Sequence, residues 1–178
     1  MRKIMHKWFW VWDYEKEEKW LNEMAAAGLA LISASFCRYE FEECVPGAYE
    51  LCIVYTGIND PARVGQLVDF IVDTGAEHVG SCNRWLYFRR PAELGKFEMY
   101  SDNASRAEYI SSIKKFLIFI GAFNLFIGFW NISFYLMKEM FINLIGLLSI
   151  VVGAMALFGA WRMQQKIKAL HDEGKIFE

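Results

Sequence analysis

Charge is missing from two long stretches of the sequence. Residues 116–137 and residues 140–161 contain no Asp, Glu, Lys, Arg or His, and each stretch is 22 residues long. At about 1.5 Å per helical residue such a stretch spans roughly 33 Å, and the hydrocarbon core of a bilayer is roughly 30 Å thick. Only Lys138 and Glu139 separate the two stretches. This pattern predicts a transmembrane helical hairpin, with the lipid bilayer as one partner.

Motifs for catalysis and cofactor binding are missing too. The patterns GxSxG, HExxH and GxGxxG and the P-loop pattern do not occur, and the three histidines share no spacing with each other or with a carboxylate. The cysteines have neither CxxC pairing nor metal-ligand spacing, so we expect them to act as small apolar side chains: Cys37, Cys44, Cys52 and Cys82. The sequence therefore predicts no enzyme, no cofactor and no metal site.

A basic stripe is also absent. Residues 1–112 carry 12 Lys and Arg against 17 Asp and Glu, a balance of −5, which argues against nucleic acid as a direct ligand. Basic residues instead flank the uncharged stretches: Arg106, Lys114, Lys115, Arg162, Lys166 and Lys168. The positive-inside rule then predicts a two-span protein of the cell membrane with both termini in the cytoplasm. The early apolar run Trp8–Trp12 is too short for the core of a signal peptide.

The N-terminal residues predict strands and helices in a repeating order. Residues 7–12 and 49–55 are apolar on both faces of a period-2 pattern, as in central strands. Each is followed by a helical pattern. The expected order is strand, helix, strand, strand, helix, strand, the βαββαβ order of a ferredoxin-like α+β fold.

Helix boundary signals support a duplication. Asp13 and Asp60 are expected N-caps, and Gly28 and Gly75 are expected C-caps. Both pairs lie 47 residues apart. Equal offsets at both helix ends predict two copies of one β-α-β unit.

These patterns divide the chain into four parts. We expect a ferredoxin-like cytoplasmic domain over residues 1–100 and a juxtamembrane helix over 101–115. The transmembrane hairpin covers 116–161, with spans at 116–137 and 140–161, and a cytoplasmic tail helix covers 162–178. No proline or glycine lies between Ser105 and the first span, so an unbroken helix is expected to enter the membrane.

Small and polar residues recur within each predicted span at spacings of 3 and 4, the spacing of a left-handed helix pair. They predict a packing face formed by Gly121, Asn124, Gly128, Asn131, Gly146, Ser149, Gly153, Ala156 and Ala160. A polar residue in hydrocarbon either marks a functional path or makes hydrogen bonds between helices. Because two asparagines cannot form a transport path without a larger assembly, we interpret Asn124 and Asn131 as packing residues.

Three other groups in the N-terminal part are candidate sites. Trp8, Trp10 and Trp12 share one face of the predicted first strand, where they either line a pocket for a flat or cationic ligand or belong to the core. Arg89 and Arg90 either bind anionic lipid headgroups or form an ordinary exposed strand end. The acidic residues of the first helix predict a solvated face: Glu15, Glu17, Glu18 and Glu23.

Four separated blocks resemble a bacterial domain of unknown function. They are F-W-V-W-D-Y-E-K-E-E-K-W-L-N-E-M-A-A-A-G, F-C-R-Y-E-F-E-E with a following P-G, G-A-E-H-V-G-S-C-N-R-W-L-Y-F-R-R, and F-E-M-Y-S-D, within Lys7 to Tyr109. Members carry this domain ahead of C-terminal transmembrane segments. The resemblance also implies an association with PadR-like transcriptional regulators, and so a stress-response or envelope-sensing role. It supplies no catalytic residues.

Together these features predict a membrane-anchored, non-enzymatic binding or sensory module. Its cytoplasmic domain would bind a protein partner or a small ligand. The alternative is a structural or accessory subunit of a membrane complex or transporter that assembles through the hairpin, as a homo-oligomer or with another protein.

Overall fold

The computed structural model describes residues 2–57, 60–97, 99, 102–135 and 140–176, and in the C-terminal helices it describes side chains up to residue 133 and from 144 to 172. The chain forms two compact units, Met1–Met99 and Tyr100–Glu178. The predicted turn residues Lys138 and Glu139 lie outside the described residues.

The N-terminal unit is a mixed α+β structure with two antiparallel three-stranded sheets. Its elements in chain order are β1 (Arg2–His6), α1 (Tyr14–Ala26), β2 (Leu29–Ser35), β3 (Arg38–Glu43), β4 (Tyr49–Tyr55), α2 (Pro61–Asp73), β5 (Glu77–Cys82) and β6 (Trp85–Pro91). The strand order is β1-β3-β2 in the first sheet and β4-β6-β5 in the second. Each half is therefore strand, helix, strand, strand, with its last strand in the centre.

The duplication extends to the strand register. Phe41 pairs with Leu31 in the first repeat, and Phe88 pairs with His78 in the second, each residue 47 positions after its counterpart. Both β2 and β5 have a register shift, between Leu31 and Ser33 and between His78 and Gly80 respectively. The two repeats thus share their β-bulge as well as their helix ends.

The expected ferredoxin-like βαββαβ order is not confirmed. The described residues contain six strands in two sheets, because the stretches after each helix fold into hairpins, β2–β3 and β5–β6. The predicted central strand at residues 7–12 is wrong: β1 ends at His6, and Val11–Asp13 forms a 3₁₀ turn. β4 is also an outer strand of its sheet, although five of its seven residues are buried.

The helix boundaries follow the local signals. Gly28 and Gly75 end their helices at φ +85° and +87°, a conformation that glycine adopts without steric cost. The Asp60 carboxylate accepts a hydrogen bond from the amide of Ala62 at 3.0 Å, as an N-cap does. Asp13 makes no such cap bond, and its carboxylate pairs with Lys16 at 3.0 Å.

The repeats join along β2 and β5. A methyl group built on Gly80 would lie 3.0 Å from the amide nitrogen of Ala34, so the backbones touch at this glycine. Arg89 on β6 reaches the other repeat, where it donates to Glu42 at 2.8 Å and to the Leu31 carbonyl at 3.2 Å. Since Arg89 and Glu42 occupy equivalent positions, this ion pair joins the two repeats directly.

Helix α1 covers the open edge of β4. The Asn22 side chain accepts from the amide of Leu51 and donates to its carbonyl, both at 2.9 Å, in the manner of a neighbouring strand. Glu18 Oε2 accepts from the amide of Ile53 at 2.8 Å. The helix of the first repeat therefore closes the sheet of the second.

The second unit consists of α3 (Asn103–Tyr135) and α4 (Met140–Ile176), which pack against each other as an antiparallel pair. Both are long and apolar enough to cross a bilayer, by length and composition, over Asn103–Ser133 and Leu144–Asp172. Large apolar side chains point away from the pair, among them Phe119, Phe126, Trp130, Leu148 and Trp161. Helix α3 is unbroken from Asn103 to Tyr135.

Candidate functional site

The most unusual polar group of the N-terminal unit is Glu17 on α1. Its side chain is 8% exposed, and it lies beside a core cluster that includes Trp20, Leu21 and Phe41. Glu17, Trp20, Leu21 and Met24 follow the i, i+3, i+4, i+7 spacing of one helix face. The predicted solvated acidic face is therefore wrong for Glu17, which lies on the apolar face instead.

Two tyrosines hold the Glu17 carboxyl. Tyr39 Oη and Tyr87 Oη each donate to Glu17 Oε1 at 2.7 Å. Tyr39 lies on β3, the central strand of the first sheet, and Tyr87 lies on β6, the central strand of the second. We call these three residues the Glu17 cluster. It connects the two repeats through a single oxygen atom.

Burial dominates the electrostatics of the Glu17 cluster. Desolvation raises the pKa of Glu17 above its usual 4.5, and the two tyrosine hydrogen bonds oppose that rise. Desolvation and the nearby carboxyl also raise the pKa of Tyr39 and of Tyr87. Both phenols therefore stay protonated and act as donors, while Glu17 can hold a proton or a charge.

Two aromatic rings pack against Tyr39, one of the two partners of this carboxyl. Trp20 and Phe9 lie with their ring centroids 5.1 and 6.4 Å from that of Tyr39. A buried carboxylate among aromatic faces favours a proton or an organic cation, because both neutralise the charge and aromatic faces attract cations. The described side chains include no group of three or more His, Cys, Asp or Glu that could hold a metal ion.

The predicted aromatic pocket is divided between core and surface. Trp12 is buried at 7% exposure, whereas Trp8 and Trp10 are 53% and 40% exposed. Trp10 stacks on Trp12 with ring centroids 5.1 Å apart, and Trp8 meets Trp10 edge to face at 5.3 Å. The three rings do touch, but in an irregular segment after β1 rather than on one face of a strand.

Both arginines at the end of β6 have protein partners. Arg89 pairs with Glu42 and with Glu77, whose Oε2 lies 2.7 Å from its Nε. Arg90 donates to the carbonyls of Gly95 and Lys96 at 3.0 Å. The structure thus assigns these side chains to contacts within the N-terminal unit.

The predicted small residues of the hairpin lie along the contact between α3 and α4. A methyl group on Gly121 would lie 3.2 Å from the Gly153 carbonyl oxygen, and one on Gly128 would lie 2.9 Å from that of Gly146. Gly121, Gly128, Gly146, Gly153, Ala156 and Ala160 are buried, and Asn124, Asn131 and Ser149 are half-buried. In the structure this face is occupied within the hairpin itself.

The asparagines play different parts in this contact. Asn124 Nδ2 donates to the Ile120 carbonyl at 2.9 Å, one turn earlier on the same helix. Asn131 packs against α4 instead: a methyl group built on Gly146 would lie 3.2 Å from the Asn131 Cβ atom. The hydrogen bond that Asn124 donates thus stays within α3, whereas the sequence predicted one between the helices.

Of the four cysteines, one is buried and three are half-buried. Cys52 is buried at 5% exposure, and burial raises the pKa of its thiol. All four are free thiols in the structure. Raised thiol pKa values, as at Cys52 and Cys82, make reactive thiolates unfavourable.

Comparison with known proteins identifies a family. The model of a family described as "Protein of unknown function (DUF2812)" matches residues 13–122, more than half of the 178 residues. The match runs from the start of α1 into α3 and contains the whole Glu17 cluster. No curated protein and no solved structure matches the chain. The chain belongs to the DUF2812 family of uncharacterised domains.

Proposed function

We propose that this protein is a membrane-anchored, non-enzymatic binding or sensory module. Its ligand site is the Glu17 cluster, and its anchor is the α3–α4 pair. The observation that carries the proposal is that one buried carboxyl is held by a tyrosine from each repeat. A structural core has no need of a buried ionisable group, because an apolar side chain there avoids the cost of desolvation.

The sensory step is a change of charge at Glu17. The ionised carboxylate is costly in its buried position, so a proton or a bound organic cation stabilises the unit. Because Tyr39 and Tyr87 lie on the two central strands, a change at Glu17 Oε1 acts on both sheets at once. The cluster is thus placed to couple binding to the fit between the repeats.

The remaining parts of the proposal come from the sequence. The basic flanks of the hairpin favour an orientation with both termini in the cytoplasm. The resemblance to a family associated with PadR-like regulators favours a regulatory role. The N-terminal unit would then signal to a cytoplasmic protein partner.

The test uses the full chain in nanodiscs, with Glu17→Gln as the variant and Glu23→Gln as the matched control. Glu23 is an exposed carboxylate on the same helix. The probe is tetraphenylphosphonium, an aromatic cation, added while amide hydrogen exchange is followed. We expect slower exchange in β3 and β6 of the wild type and of Glu23→Gln, and no effect in Glu17→Gln. An equal response in all three proteins, or none in the wild type, contradicts cation binding at this cluster.

The pH dependence of stability tests the same cluster independently. As pH rises from below 4.5 through the raised pKa of Glu17, the folded chain keeps a proton that the unfolded chain releases. The contribution of Glu17 to stability therefore falls across that window. Glu17→Gln removes this fall and Glu23→Gln keeps it, as thermal melts at several pH values would measure. Identical pH profiles for wild type and Glu17→Gln contradict a titrating Glu17.

The alternative function is an accessory subunit that assembles through the hairpin. It is favoured by the close glycine contacts, which pack α3 against α4 and so fix the outer surface through which the pair would assemble. Gly128→Leu and Gly153→Leu disrupt this packing, whereas Ala122→Leu and Ala154→Leu place the same side chain on exposed positions. The accessory function gains if only the glycine variants lose assembly, measured as particle mass in native membranes, while the cation response stays. Unchanged assembly in the glycine variants contradicts it.

A further inference from the structure

Three large aromatic side chains lie exposed together on the surface of the N-terminal unit. Trp8, Trp10 and Phe36 expose 53%, 40% and 73% of their surface, and the Trp8 ring meets each of the other two edge to face. We call these three residues the aromatic patch. Exposed aromatic groups of this size mark interaction sites, because leaving them in water costs free energy that burial would recover.

A backbone hydrogen bond and a buried ring hold the aromatic patch in place. Its two tryptophans follow β1, and Phe36 lies in the turn between β2 and β3. The amide of Lys7 donates to the Cys37 carbonyl at 3.1 Å and joins the two segments. Beneath them, Trp10 stacks on buried Trp12 with the ring planes 2° apart. The patch is therefore a formed surface on a rigid base.

Basic residues are the charged residues nearest the aromatic patch in the chain. Lys7 precedes Trp8 and Arg38 lies two positions after Phe36, whereas the acidic residues of β3 lie farther along that strand: Glu40, Glu42 and Glu43. The first twelve residues contain Arg2, Lys3 and Lys7 and no acidic residue, whereas residues 1–112 together carry −5. The Lys7 ammonium lies 4.6 Å from the Trp20 ring centroid, and Arg38, next to the patch, pairs with Glu40. This end of the unit is suited to an anionic partner.

We infer that the aromatic patch binds the surface of an anionic bilayer. Tryptophan is the side chain enriched at membrane–water interfaces, and basic neighbours add attraction to anionic headgroups. The inference rests on the proposed membrane anchoring, which keeps the patch near a bilayer at all times. Since insertion of the hairpin already anchors the chain, a weak contact through the patch suffices to hold this surface on the bilayer.

The test measures tryptophan fluorescence of the full chain in nanodiscs whose lipids are brominated close to the headgroup. The hairpin carries Trp130 and Trp161, so Trp130→Phe with Trp161→Phe leaves only the tryptophans of the N-terminal unit. With phosphatidylglycerol in the nanodisc, we expect the bromine atoms to quench the tryptophan fluorescence of this variant. Adding Trp8→Phe and Trp10→Phe removes the quenching, and replacing phosphatidylglycerol by phosphatidylcholine or raising the salt reduces it.

A matched control separates exposure from membrane contact. Phe70 on α2 is 65% exposed and lies next to Asp69. Phe70→Trp is placed in the variant in which Trp8, Trp10, Trp130 and Trp161 are all phenylalanine. It reports on an exposed position away from the basic segment. We expect its fluorescence to escape quenching. Equal quenching at residue 70 and at the patch overturns the inference, because the whole unit would then lie on lipid without preference.

The outcomes distinguish this inference from the proposed function. Quenching of Trp130 and Trp161 without quenching of the patch overturns the inference and leaves the membrane anchor intact. Absence of quenching at both sites contradicts the anchor, and the inference fails with it. A larger particle mass that depends on Trp8 and Trp10, with no quenching, identifies the patch as a contact between two copies and also overturns the inference.

Discussion

In the first repeat, α1 buries Tyr14, Glu17, Trp20, Leu21 and Ala25, whereas α2 of the second repeat, all of whose residues the structure describes, buries Ile71 alone. Both helices have 13 residues, and they occupy equivalent positions in the two repeats. The difference arises because α1 packs on two sheets, its own and the edge of β4, through Asn22 and Glu18. A duplicated topology therefore does not dictate equal burial, and the repeat that gained the second contact also holds the buried carboxyl.

The largest expected effect tests what the repeats share. Phe41 and Phe88 occupy equivalent positions on the central strands, and each is 0% exposed. We expect Phe41→Ala and Phe88→Ala each to lower the free energy of unfolding by about 3–5 kcal/mol. Hydrogen exchange of the strand amides in the full chain measures this loss of stability in each variant. A much smaller loss at Phe88 would mean that the second repeat is a loosely attached copy.

The edge contact of α1 tests the asymmetry itself. Asn22→Ala leaves the amide and carbonyl of Leu51 without the side-chain partner they have now, at a cost of about 1–3 kcal/mol. Its counterpart Asp69 is exposed on α2, so Asp69→Ala should change stability by less than about 0.5 kcal/mol. Denaturation monitored by tryptophan emission compares the two. Equal losses would show that the bonds from Asn22 contribute little to the asymmetry.

Replacing one glycine in each of two settings, the join between the repeats and the surface of α2, should change stability in opposite directions. Gly80→Ala pushes a methyl group toward the Ala34 backbone and should destabilise the join between repeats by about 1–3 kcal/mol. Gly65 lies within α2 with no atom within 4 Å of a new methyl group, so Gly65→Ala should stabilise by about 0.5–1 kcal/mol. Thermal melts in nanodiscs record both shifts. A stabilising Gly80→Ala would contradict the close approach of β2 and β5.

A last, modest effect concerns the first residues of the two helices. Asp60 caps α2 through the Ala62 amide, and Asp60→Ala should cost about 1 kcal/mol. Asp13 makes no cap bond and pairs with Lys16, whose side chain is exposed, so Asp13→Ala should cost less. Hydrogen exchange in the first turn of each helix distinguishes the two. The reverse order of losses would show that the ion pair replaces the cap.

Local signals in the sequence were sufficient for the helices and for the duplication. The 47-residue offset follows from caps and stop glycines, which act within a few residues of the chain. The two apolar helices follow from uncharged length alone. Even Glu17 left a trace, because its spacing from Trp20 and Leu21 places it on the apolar face. Its acidic neighbours Glu15 and Glu18 concealed that signal.

Strand pairing and the site itself depended on contacts between distant residues. The sequence does not show that Lys7–Trp10 leaves the sheet, or that Arg89 meets Glu42 47 residues away, since neither depends on neighbours in the chain. Likewise, Tyr39 and Tyr87 converge on one oxygen only because the two sheets face a common helix. The sequence by itself determined which segments are helical, where they end and how they repeat. Only the tertiary structure decided which polar groups are buried together, because burial is a property of the packed chain and not of its local pattern.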